Sequence, residues 1–219
     1  MRKKYIDLSH TIKDGEITYK GLPAPIICDF LSRTDSEANY ENGTSFQIGK
    51  IEMVSNTGTY LDCPFHRYED GKDLSDIHLQ KVANLEGVLI KVPYQETLAI
   101  GVEYFEQKDL ANKAVLVFTG WSDLWQTDQY FENHPYLTGE AAEYLKEQAV
   151  ALVGIDSHNI DNTEGRNRPV HSILLKNEIL IVEHLTNLKS LEGENFLFSA
   201  IPPKIEGFGT FPVRAFATL

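Results

Sequence analysis

Four short runs, GVLIKV (87–92), AVLVFTG (114–120), VALVGID (150–156) and ILIVEHL (179–185), are almost wholly apolar. A strand with one wet face alternates apolar and polar residues, whereas a strand covered on both faces has no reason to alternate. The four runs therefore predict a central sheet buried on both sides, with helical stretches between its strands. YIDLSH (5–10), PIICDFL (25–31), NFLFSAI (195–201) and FPVRAFATL (211–219) read as further strands. LTGEAAEYLKEQ (137–148) reads as a helix capped by Thr138, with Glu140 in its first turn and Ala141, Leu145 and Ala149 on one side. PVHSILLKN (169–177) reads as a second helix ending near Asn177. No repeat or Pro/Ser-rich linker divides the chain, so residues 1–219 are expected to form one α/β domain with a mixed central sheet.

A net charge of −12 sets limits on partners. Nucleic-acid binding displaces counterions with clustered Lys and Arg, and anionic membrane surfaces make the same demand. Neither partner is expected; a small-molecule substrate is. The N-terminal MRKKYIDLSH lacks an apolar core of signal-peptide length, and no run approaches the roughly 20 apolar residues of a membrane span, so a cytoplasmic protein is expected. Two cysteines, Cys28 and Cys63, make no disulfide framework. Phosphate-binding loops of the GxxxxGK[ST] or GxGxxG type are absent.

FQIGKIEMV (46–54) places Phe46 and Ile48 in one phase and Ile51 and Met53 in the other, which predicts a bulge at Gly49-Lys50. It leads into SNTGTYLDCPFH (55–66), where a tight turn at Thr57-Gly58-Thr59 precedes Asp62 and His66 on either side of Pro64. His171 opens the second helical pattern and Glu183 ends an apolar strand. A dry, unpaired carboxylate costs several kcal/mol, so Glu183 needs a cation, either a metal ion or one of Arg166, Arg168 and Arg214. Cys63 reads as a buried inert thiol rather than a nucleophile, His158 as a surface loop residue, and His10, His78 and His184 as structural. Tyr19 and Phe65 are candidates for an aromatic pocket wall, as are Trp121 and Trp125, which core packing explains equally well.

These blocks, in order, resemble the cyclase family. SNTGTYLDCPFH is similar to its HxGTHxDxPxH motif, and RPVHSILLKNEILIVEHLTNL to its second ligand block. IDLSHTIKDGEITYKGLPAP resembles its opening strand and substrate loop, and GFGTFPVRAFAT its closing strand. The resemblance implies a swivelling β/β/α fold and a divalent-metal site, often binuclear, that hydrolyses C–N bonds of small aryl or cyclic amides. Carried over by residue, Asp62, His171 and Glu183 match metal ligands and His66 matches the acid/base. Asn56 and Tyr60 stand where the family has histidines.

An amide oxygen is a weak ligand for zinc, and a phenol of pKa about 10 must lose its proton to bind well. One ion, zinc or manganese, is therefore expected, and the second position lacks its nitrogen donors. Tyr60 is then expected to donate a hydrogen bond during catalysis, with Asn56, Tyr19 and Phe65 on the substrate side. The same departure supports an alternative: a metal-free relative that binds a small ligand, or that uses Tyr60 and His66 for acid–base chemistry. The resemblance also implies a homodimer or homotetramer.

Overall fold

The four apolar runs lie where the absence of alternation puts them. In the computed structural model, which describes residues 3–219, they become β5 (Leu85–Lys91), β7 (Ala114–Phe118), β9 (Leu152–Ile155) and β10 (Leu180–Glu183). These pair in parallel in the order β5-β7-β9-β10. The remaining strands of this sheet are β1 (Tyr5–Asp7), β4 (Tyr60–Asp62), β11 (Leu197–Ser199), β12 (Thr210–Pro212) and β13 (Phe216–Thr218). All five join it antiparallel, giving the nine-stranded order β1-β13-β11-β5-β7-β9-β10-β4-β12.

The sheet is mixed and it curls. β12 lies at one edge and β13 next to the other, yet only residues 213–215 separate them, so the two edges must approach each other. A bridge from Ser9 to Leu185 and the bond from Thr186 N–H to Leu8 C=O tie them together. Inside the curl, Leu61, Leu116, Leu152, Val182, Phe198 and Ala217 form one core. Outside it, Val115, Val117, Val153 and Ile181 pack against α2 (Gly139–Glu147) and α3 (Pro169–Lys176) to form the second.

Strand parity then selects the face of each acid. Ile181 belongs to the helix side, so Glu183, two residues on, shares that side. Leu61 and Cys63 point into the curl, which sends Tyr60 and Asp62 to the helix side as well. Antiparallel register pairs Glu183 with Tyr60, Ile181 with Asp62, and Asp62 with Thr210. Three distant segments thus deliver polar side chains to one patch facing the start of α3.

Several expectations need correction. FPVRAFATL is two strands, because Pro212 ends β12 and cannot donate to a ladder. PIICDFL forms β2 (Ile26–Leu31), which pairs only with β3 (Ile48–Glu52) in a ribbon outside the main sheet. The extra residue in that ribbon is Phe30 in β2, not Gly49-Lys50. Ile48 and Ile51 are both about half exposed, so the phase slip reported no change of buried face. No α-helix joins β5 to β7. That stretch carries Pro93 and left-handed Gln107 and Asn112, and contains β6 (Ala99–Ile100), which pairs with β8 (Tyr136–Leu137). Ala149 lies beyond α2 at φ 53 and is exposed, so the buried face is Ala141, Ala142 and Leu145. After β2, residues 33–37 form the short α1 (Arg33–Glu37).

Candidate metal centre

Asp62 sits fully buried in β4, held from both sides of the chain. The preceding turn needs Gly58 at φ +67, where a Cβ would press on Ile12 at 2.9 Å. Beyond the strand, Gly209 approaches so closely that a Cβ would lie 2.2 Å from the His66 backbone nitrogen. That contact places the His66 ring beside Thr210. The Thr210 hydroxyl donates to Asp62 Oδ1 and lies 2.7 Å from His66 Nδ1. A hydroxyl has one proton, so with that proton on the carboxylate, His66 Nδ1–H donates to Thr210 and leaves Nε2 as the free nitrogen.

Asp62 Oδ2 is different. It is buried, has no hydrogen-bond partner, and lies 3.6 Å from His171 Nε2. His171 stands in the first turn of α3 and is pinned through its other nitrogen, Nδ1, to Asp161 Oδ2 at 2.6 Å. Asp161 also accepts from the Val170 and His171 N–H groups, at 2.8 and 3.0 Å. It therefore serves as the helix cap that Arg168, at the N-cap, does not supply. A carboxylate behind a histidine fixes which ring nitrogen faces forward, the arrangement found behind metal-bound imidazoles.

Glu183 is buried beside them, its Oε1 3.6 Å from His171 Nε2. Both of its oxygens have donors: Oε1 accepts from Ile160 N–H at 2.6 Å, and Oε2 accepts from the Tyr60 hydroxyl at 2.5 Å and from Asn159 at 3.4 Å. Tyr60 is fully buried, and burial together with the charges of Glu183 and Asp62 pushes its pKa well above the usual phenol value. It keeps its proton and donates it. Among the described residues no arginine partners Glu183.

The electrostatics call for a cation at His171 Nε2. Burial alone would lower the His171 pKa, but the bonds and charges of Asp161, Asp62 and Glu183 outweigh it and raise it to about 10. Burial works against ionising Asp62, yet His66, His171 and Thr210 hold its carboxyl below the usual range. Burial raises Glu183 to about 7 against the pull of His171. With His171 neutral, its lone pair would face two carboxylate oxygens with no donor among the three atoms. A divalent ion fits that gap. Corners about 2.1 Å from a tetrahedral centre are about 3.4 Å apart, close to the separations seen here. Asp62, His66 and His171 also offer three ligand atoms within 4.8 Å of one another. The neighbouring position offers no nitrogen: Tyr60 is committed to Glu183, and Asn56 Oδ1 accepts from Ser55 at 3.2 Å.

A model of the family described as "Putative cyclase" matches residues 6–162. The chain belongs to the cyclase family. Kynurenine formamidase of Bacillus mycoides is 26% identical over 212 residues, covering 97% of this chain and 96% of the relative. Kynurenine formamidase of Geobacillus thermodenitrificans is 30% identical over 179 residues, covering 81% and 82%. In fold, this cyclase-family chain is similar to isatin hydrolase A of Labrenzia aggregata, with a TM-score of 0.84 at 19% identity over 99% and 94% of the two chains. It is likewise similar to a structure described as a potential metal-dependent hydrolase with cyclase activity, with a TM-score of 0.80 at 24% identity over 99% and 98%.

In this cyclase-family protein the centre opens into a cavity of about 740 Å³ lined by Tyr19, Asn56, Tyr60, His66, His171 and Glu183, among others. Phe65 is not part of its wall. The ring packs against the core inside the curl, as alternation with the outward His66 requires. Trp121 is buried in the core and donates from Nε1 to Tyr130 C=O at 3.0 Å, whereas Trp125 stacks on His10 at 3.8 Å between ring centroids. Cys63 is buried, and burial pushes its thiol up to about 12, which suits an inert role.

His158 corrects an expectation: it is buried under the cavity floor, 4.5 Å from the Tyr19 ring, and burial lowers its pKa to about 3. Asp161 and Thr210 were missed in the sequence. The only trace of Asp161 is an acid eight residues ahead of the helix-opening Pro169, and Thr210 left none.

Proposed function

We propose that this chain is a cytoplasmic metal-dependent hydrolase that cleaves the C–N bond of a small aryl or cyclic amide. One observation carries the reading: a buried carboxylate oxygen, Asp62 Oδ2, without a donor, facing the forward nitrogen of a carboxylate-pinned histidine. Kynurenine formamidases at 26–30% identity over most of the chain support the amide class. Asp62, His171 and Glu183 would hold one zinc or manganese ion, the two carboxylates each lying 3.6 Å from His171 Nε2. Such an ion supplies Lewis acidity toward the carbonyl and acidifies water toward neutral pH. His66 Nε2 takes a proton from the attacking water and returns it to the departing nitrogen, while Nδ1 stays bonded to Thr210. Asp161 keeps His171 in one tautomer, and Tyr60 holds Glu183 in place. Tyr19 and Leu22 form the apolar wall for the ring of the substrate. Elemental analysis of untagged protein beside formanilide turnover tests the reading: about one ion per chain and turnover that a chelator abolishes are expected. Undiminished turnover by metal-free protein would sink it.

The Tyr60–Glu183 bond at 2.5 Å favours a second reading, in which no ion binds and Tyr60 and His66 act as acid and base or simply hold a ligand. No metal uptake after reconstitution with zinc or manganese would select it.

The proposal extends to a homodimer or homotetramer. Ile26, Ile27, Phe30, Ile48 and Ile51 of the β2–β3 ribbon are 40–76% exposed, and a two-stranded ribbon is marginal without cover. Light scattering on Phe30→Asp tests this, with a smaller particle expected.

A further inference from the structure

Positive patches are rare in a chain of net charge −12, and the mouth of the cavity is one. Three of the six arginines in the sequence, Arg67, Arg166 and Arg168, line the same cavity as His171 and Glu183. Among the described residues none of the three forms an ion pair with a carboxylate, whereas Arg214, elsewhere on the surface, pairs with Asp7 at 2.6 Å. Among the described residues Arg33, exposed and outside the cavity, is also without an ion pair, so what marks the mouth is three guanidinium groups converging on one opening with no carboxylate to neutralise them.

Their attachments differ. Arg67 is aimed by its Nε bond to Ser172 Oγ at 3.3 Å and by the Tyr68 ring, 5.4 Å from the guanidinium carbon. No hydrogen bond among the described residues uses its terminal nitrogens. Arg168 donates from Nη1 to the carbonyls of Asn162, Gly165 and Asn167 at 3.2, 2.8 and 2.8 Å. It thereby staples the loop that presents Arg166, which is exposed and has no protein partner among the described residues. The charge of Arg168 also reaches Tyr19 on the opposite wall, where it opposes the effect of burial.

We propose that the substrate is an aromatic carboxylate: its ring lies against Tyr19 and Leu22, and its anionic group, remote from the scissile C–N bond, is gripped by Arg67 and Arg166. This rests on the hydrolase reading above. Guanidinium forks match the planar, two-oxygen geometry of a carboxylate, and the stapled loop pre-orders one of the two forks. The cavity of about 740 Å³ has room for a ring and its substituents.

Binding and turnover together test it. Calorimetry with benzoate, benzamide and inorganic phosphate is run on chelator-treated and on manganese-loaded protein, so that a carboxylate bound to metal is told apart from one bound to arginine. Benzoate is expected to bind about tenfold tighter than benzamide in both forms. That preference should weaken with added salt, fall about tenfold in Arg166→Gln and in Arg67→Gln, and be restored only in part by Arg166→Lys, which keeps the charge but loses the fork. Formanilides with a ring carboxylate at each of the three positions are compared with their carboxamides, and the best carboxylate is expected to lead in kcat/KM by about tenfold. Equal kcat/KM for carboxylate and carboxamide, or a preference unchanged in both Gln variants, overturns the inference while leaving the hydrolase standing. Phosphate binding as tight as benzoate overturns the carboxylate assignment. Absence of any turnover with arginine-dependent benzoate binding removes the hydrolase and keeps the anion grip. Absence of both removes the two together.

Discussion

Two halves of one cavity floor carry the same kinds of acid and treat them in opposite ways. On the Asp62 side, a buried carboxylate oxygen has no hydrogen-bond partner and faces His171 Nε2 at 3.6 Å, where the surrounding carboxylates favour positive charge. On the Glu183 side, every oxygen has a donor, and the nearest comes from Tyr60, a phenol that burial keeps protonated. One half needs positive charge at His171, from a proton or from an ion in its place, and the other is satisfied by neutral donors. The difference teaches that a ligand-type residue is not yet a ligand site. What decides is whether the fold has already satisfied its lone pairs.

The largest effect should come from breaking the unsatisfied half. Asp62→Ala is expected to lose both the ion and turnover, read by elemental analysis and by a formanilide assay against the parent. Asp161→Asn strikes the same half from behind. It leaves His171 in place but loosens its tautomer, and metal affinity should fall about 10- to 100-fold in a chelator competition.

Exchanging the character of the other half sharpens the contrast. Tyr60→Phe strips Glu183 Oε2 of its closest donor and should cost about 1–3 kcal/mol of unfolding free energy by denaturant titration, with the ion count unchanged. Adding Asn56→His and Tyr60→His together replaces the proton donor with nitrogens, and a second ion per chain is expected. A count that stays at one would show that the halves differ by more than these two side chains.

The last effect is a slope with pH. His10 and His158 are held neutral behind the Tyr60–Glu183 half, their pKa values lowered by burial to about 4 and about 3. Unfolded histidine titrates near 6.5, so between about 6.5 and those values the unfolded chain binds more protons and stability falls as pH falls. Denaturant midpoints between pH 7.5 and 4.5 should show that decline, and His158→Phe should flatten it.

Much of the fold was legible because burial leaves a mark in composition. β5, β7, β9 and β10 are covered on both faces, and their runs do not alternate. β2 is also largely apolar but exposed, so hydrophobicity alone could not tell a core strand from an arm. Within the site, Asp62, His171 and Glu183 were legible as acids and a histidine at the edges of elements. Thr210 and Asp161 were not, because their roles are hydrogen bonds to residues 148 and 10 positions away in sequence, which no local pattern announces. Phe65 and His158 were misplaced for a related reason: which way a ring turns depends on what stands across from it.

The sequence by itself determined where the strands run, that the protein is acidic, and that the family's paired histidines are here an asparagine and a tyrosine. The curl of the sheet decided the rest. Register set Glu183 across from Tyr60 and Asp62 across from Thr210, and only that pairing established which oxygens have donors and which one has none. Donors and acceptors satisfy one another across space, so the chemistry of this floor exists only once the sheet has closed.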